Sequence, residues 1–139
     1  MTDLVPLRAW LAAHPTNEQP AGTMHGGEVT VLPDGTRSTT MPWVAYDPLL
    51  DELWTALAAA GWDEVDTRDY LDVVARWRTH TGREVIGLDD LAGMDRVTLF
   101  NALRWYNRGE RFCDGLWSAA WQDGTLHAGA RAVLALGED

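Results

Sequence analysis

Apolar residues recur at helical spacing in six stretches of this chain and alternate in one. Leu4, Leu7, Trp10 and Leu11 share one face of a short first helix. That helix should end at His14-Pro15, because a residue before proline avoids the helical region. Residues 16–23 are polar, with Pro20 and Gly22, and predict a loop or linker. From Glu28 to Leu32 apolar and polar positions alternate, Pro33-Asp34-Gly35 supplies a turn, and Arg37 to Met41 is extended and threonine-rich. These predict a β-hairpin. Trp43 to Tyr46 would prolong its second strand past Pro42, at an edge or bulge.

Asp47-Pro48 is a helix start, a capping carboxylate followed by proline at the first helical position. Leu50, Leu53, Trp54 and Leu57 then form an apolar stripe that stops at Gly61. Asp66 would cap the next helix, whose inner stripe is Tyr70, Val73, Val74 and Trp77. Asp72 and Arg76 would pair on its wet side, and Gly82 would end it. Val85-Ile86 reads as a short apolar connector. Asp95 caps a further helix, with Met94 and Leu99 placed as a hydrophobic staple. Val97, Phe100, Leu103 and Tyr106 would face inward, with a bend or break at Gly109. Phe112, Leu116, Trp117, Ala120 and Trp121 predict another helix, Gly124 a break, and Leu126, Ala130, Val133 and Leu134 a last helix. The pattern predicts an α+β fold: one mostly helical domain over residues 1–139 with a small β-hairpin near residues 27–46. Residues 1–22 form an N-terminal helix and linker.

Length agrees, since 139 residues are enough for one domain with its own core. Eight tryptophans promise a few large aromatic anchors. The lone cysteine, Cys113, excludes an internal disulfide and any cysteine-only zinc cage. It fits a reducing, cytoplasmic setting. The apolar stretch Leu4–Ala13 contains Pro6 and lacks a basic start, so it does not read as a signal peptide. No segment has the apolar length of a membrane span, and no membrane partner is expected. All fixed positive charge is arginine, and the net charge is −10. The imbalance is −2 over residues 1–46, −8 over 47–95 and zero over 96–139. Such a field repels phosphate backbones, so direct nucleic-acid binding is not expected. It suits a basic protein partner or mimicry of a nucleic acid's charge. Equally, it is what acidic helix faces carry to stay in solution.

The densest chemistry lies between Leu103 and Gly115. On a continuous helix Arg104, Arg108 and Arg111 fall within one arc. Three guanidinium groups there would hold a phosphate or carboxylate bidentately, oriented by Glu110 and Asp114, or would contact a partner. The structural alternative is an internal network in which Arg111 and Asp114 lock helix packing and Phe112 is core. Trp117 and Trp121, one turn apart, would line an aromatic pocket with Trp105, or else pack between helices. Cys113 beside Arg111 is either a thiol of lowered pKa or a buried apolar filler. His14, His25, His80 and His127 show no metal-ligand spacing, and no serine sits in a nucleophile elbow. Gly26-Gly27 reads as a hairpin entry. Asp63-Glu64 and Asp89-Asp90 are read as caps rather than an acid–base pair. No metal or cofactor is expected.

Taken as a unit, residues 40–137 resemble a bacterial domain family of unknown function found in small proteins. Pro42 to Tyr46 matches its extended segment, Asp51 to Gly61 its glycine-ended helix, and Arg108 to Gly115, with the core Arg111-Phe112-Cys113-Asp114-Gly115, its signature. The pair Trp105-Tyr106 replaces smaller apolar residues there. The resemblance implies a compact helical domain in bacteria or their phages, and no known substrate, cofactor or catalytic residue. With no complete catalytic constellation, the expectation is a non-catalytic binding or interaction module. The alternative is a small enzyme or ligand-binding protein holding an anionic small molecule at Arg104, Arg108 and Arg111.

Overall fold

The computed structural model describes residues 2–40, 43–109 and 115–138. It is mostly helical with two small antiparallel strand pairs, the α+β arrangement the sequence predicts. Helix α1 (Val5–Ala13) buries Leu7 and Trp10, so Trp10 offers no exposed aromatic face for a dimer contact. Its indole Nε1 donates to the Leu49 carbonyl at 2.8 Å.

Four strands follow: β1 (Gly22–His25), β2 (Val29–Val31), β3 (Arg37–Thr39) and β4 (Trp43–Tyr46). β2 and β3 form the predicted hairpin, with Val29 opposite Thr39 and Val31 opposite Arg37. β1 arises from residues read as a linker and pairs with β4, Gly22 opposite Tyr46. Gly26 and Gly27, both at positive φ, carry the chain from β1 into β2. Every residue from Thr23 to Thr40 is exposed, so this ribbon contributes little to the core.

Helix α2 (Pro48–Ala59) starts as its sequence dictates: Asp47 accepts from the Leu49 N–H, and Pro48 fills the first turn. At Gly61 the chain adopts φ +124°, a region side chains rarely enter, and turns into a 3₁₀ segment (Trp62–Glu64). α3 (Tyr70–Thr81) begins later than expected. Asp66 does not cap it; its carboxylate accepts from the Arg68 N–H and guanidinium instead, and these bonds hold its pKa down at about 2. On α3 only Val74 is fully buried. Asp72 and Arg76 are both exposed and form no ion pair with each other or with another described residue. A short helix, α4 (Leu88–Ala92), lies where only caps were expected. The Asp90 carboxylate accepts from the Gly87 N–H and pairs with Arg83.

Asp95 caps α5 (Arg96–Gly109) through the Thr98 N–H at 2.7 Å. Phe100, Leu103 and Tyr106 face inward as the periodicity requires, but Val97, in the first turn, is exposed. Two helices close the fold, α6 (Leu116–Gln122) and α7 (Thr125–Glu138), separated by Gly124 at positive φ. α7 packs against α1, α4, α5 and α6, while α3 lies on α5 and α1 on α2. The buried residues form one cluster, including Leu7, Leu50, Leu91, Phe100, Trp121 and Leu126. No helix among the described residues is long and apolar enough to cross a membrane.

Candidate functional site

The strong cap at Asp95 fixes the rotation of α5, and that rotation decides where its charged residues go. Asn101, Trp105 and Arg108 lie on one stripe, with Arg104 beside it. Asn101, fully buried, donates to the Asp66 carbonyl at 3.3 Å and to the Val97 carbonyl at 2.8 Å. These bonds tie the loop before α3 to α5.

Arg104 and Arg108 are half-buried, one turn apart. The Arg104 guanidinium carbon lies 4.9 Å from the Trp62 ring centroid, and its Nη1 donates to Asn107 Oδ1 at 3.4 Å. Burial first, and then the like charge of Arg108, pull the Arg104 pKa below its ordinary value, while Asp63 and Tyr70 oppose the shift. Among the described residues neither Arg104 nor Arg108 has a carboxylate within ion-pair distance. Arg68, Arg83 and Arg96 do, in Asp66, Asp90 and Glu64. α3 adds a third guanidinium: Arg78 lies 5.7 Å over the Trp105 ring, with its Nε buried and unbonded. Trp105 in turn meets Tyr106 edge to face at 5.0 Å.

Glu110, Arg111, Phe112, Cys113 and Asp114 lie outside the described residues, so the full arginine arc is represented by Arg104 and Arg108. The three tryptophans considered as a shared pocket go to three different places. Trp117 donates its Nε1 to the carbonyls of Tyr106 (3.0 Å) and Asn107 (3.3 Å), satisfying the last turn of α5. Its ring packs on Trp54 and Tyr46. Trp121 is buried against Trp10 and His127, donating to the Gln19 carbonyl at 2.6 Å. Trp105 remains beside the arginines.

Sequence spacing did not reveal Trp62, Asp63, Tyr70 and Arg78 as neighbours of this site, because Trp62 and Asp63 arrive from the 3₁₀ segment and Tyr70 and Arg78 from α3, which packs on α5. It also left His14 and His127 apart. His127 is buried, its Nε2 2.9 Å from the His14 carbonyl oxygen, and both histidine rings pack at a tilt against Trp10. Burial first, then the charges of Arg131 and His14, hold the His127 pKa below its ordinary value, although the His14 carbonyl opposes this. No group of three histidines, cysteines or carboxylates gathers for a metal among the described residues.

No curated protein and no solved structure matches the chain. A family model does, over residues 7–135, from the first helix to the last. With nearly its whole length inside that match, the protein belongs to a family of unknown function, DUF6508.

Proposed function

We propose that the protein is a non-catalytic binding module, and that α5 holds its ligand by an anionic group, a phosphate or carboxylate, between Arg104 and Arg108. One observation carries the reading. The chain has 21 acidic residues against 11 arginines, yet among the described residues no carboxylate lies within ion-pair distance of the half-buried guanidiniums of Arg104 and Arg108. Acids are abundant enough to neutralise the pair, so the lack of a paired carboxylate among the described residues favours a ligand that brings the charge. Stacking on Trp62 holds Arg104 in place before any ligand arrives, which lowers the ordering cost of a bidentate clasp. The surrounding negative field disfavours a long polyanion and favours a small or locally presented one.

By spacing, Arg111, Glu110 and Asp114 belong to the same proposal as Arg104, Arg108 and Trp105, with Trp117 supporting the helix end. The Arg-Phe-x-Asp-Gly signature, a bacterial or phage setting and a cytoplasmic location also stand as proposals, the last favoured by the single cysteine.

The test is thermal unfolding with inorganic phosphate, pyrophosphate and citrate, against sodium chloride at equal ionic strength. Phosphate and citrate stabilise many folds by exclusion from the surface, so the informative quantity is the wild-type shift minus that of Arg104→Met/Arg108→Gln. A specific site gives a saturating difference, about 2.7 kcal/mol at a hundredfold excess over Kd. Identical shifts in the two proteins for all three compounds would rule the site out.

A further inference from the structure

A second surface has a different character. α1 and α2 lie side by side and leave an open groove of about 510 Å³ between them. Pro6, Ala9 and Ala13 line one wall. Trp10 and Ala56 are buried beneath, and the Trp10 indole is pinned by its bond to the Leu49 carbonyl. The other wall carries Asp51 and Glu52, both exposed and neither in an ion pair among the described residues. Among the described residues no arginine lines the groove.

We propose that this groove receives an amphipathic basic helix of a partner protein. Its small apolar face would seat against Ala9 and Ala13, and its arginines or lysines would reach Asp51 and Glu52. Alanines and prolines on the walls let a third helix approach closely, since interaxial distance follows the size of the side chains at the contact. The charge selects the occupant. The groove's own charges are carboxylates, and the whole chain, at net −10, attracts a basic partner over distance. A second copy would bring another acidic rim to a two-fold contact, and an anionic lipid surface would be repelled in the same way. The inference stands apart from Arg104 and Arg108.

The experiment uses the full chain and a fluorescein-labelled 18-residue peptide with alanine and leucine on one helical face and arginine and glutamine on the other. Binding is read by anisotropy at two salt concentrations. Asp51→Asn/Glu52→Gln should weaken binding at least tenfold. Asp72→Asn/Glu84→Gln, which removes the same charge from exposed sites outside the groove, should change it less than twofold. Ala9→Glu is decisive because it adds acid while filling the groove at an exposed position. Docking in the groove predicts weaker binding, whereas general attraction to an acidic protein predicts tighter binding. No binding by wild type, equal losses in the two charge variants, or tighter binding by Ala9→Glu would each overturn the proposal. So would a concentration-dependent dimer of the chain that Ala9→Glu breaks, since the occupant would then be a second copy.

Discussion

Replacing Arg108 by glutamine should make the ligand-free protein more stable. Arg104 and Arg108 are neighbours on the surface of α5, with Cβ atoms about 5–6 Å apart at this spacing. Two unit charges about 6 Å apart repel by roughly 0.7 kcal/mol at the dielectric of water and roughly 3 kcal/mol at a protein-surface value of 20. Both side chains are half-exposed, so solvent screening places the effect near the lower figure. Glutamine keeps most of the aliphatic stem and has a similar helix propensity. No carboxylate among the described residues loses a partner, because none of them pairs with Arg108. The expected gain is therefore about 0.5–1 kcal/mol, a rise in Tm of roughly 2–4 °C for a chain of this size. Thermal unfolding followed by tryptophan fluorescence measures it, and the gain should shrink in 0.5 M sodium chloride. With saturating pyrophosphate the order should invert, wild type becoming the more stable protein. A loss of 1 kcal/mol or more in the ligand-free variant would refute the reasoning, since it would mean that Arg108 holds the fold together.

Three further outcomes follow from the packing. His127 has a folded pKa below 6.5, so on acidification the unfolded chain takes up the proton first. The stability contributed above about pH 6.5 is lost as pH falls toward the folded pKa. Tm should drop between pH 7 and 5, and His127→Gln should flatten that slope; an unchanged slope would discard the assignment. Gly61→Ala places a Cβ at φ +124° and into the Arg96 guanidinium that pairs with Glu64. It should cost about 1–3 kcal/mol in urea unfolding, and wild-type stability would contradict this. Leu50→Ala empties a fully buried site and should cost about 2–5 kcal/mol. A loss under 1 kcal/mol would mean that the site collapses around the smaller residue.

The sequence was most legible where a local rule acts alone. Asp47-Pro48 and Asp95 start helices because the caps satisfy N–H groups two or three residues away. It was less legible where distant partners compete. Asp66 has a capping residue's chemistry, but Arg68, two residues on, takes its carboxylate before a helix can. β1 lacks alternation because its conformation is imposed by pairing with β4, twenty residues later. Val97 matches the inward stripe of α5, yet it lies in the first turn, where α3 leaves it uncovered. For the candidate site, spacing placed Arg104 and Arg108 together on one helix. It did not foretell Trp62 beneath Arg104 or Arg78 over Trp105, since both depend on how three elements meet.

The contact between His14 and His127 spans 113 residues and has a consequence for how the molecule comes into being. A ribosome adding about 5–20 residues per second needs roughly 6–23 s to travel from one to the other. Throughout that interval α1 can rest on α2, but the sides of Trp10 and His14 that later meet α6 and α7 face water. The nascent chain therefore carries an uncovered aromatic surface on α1 until α7 emerges. A lesion in α7 would consequently be felt first at α1, as a newly made protein prone to capture by chaperones or to aggregation before it has ever met a ligand.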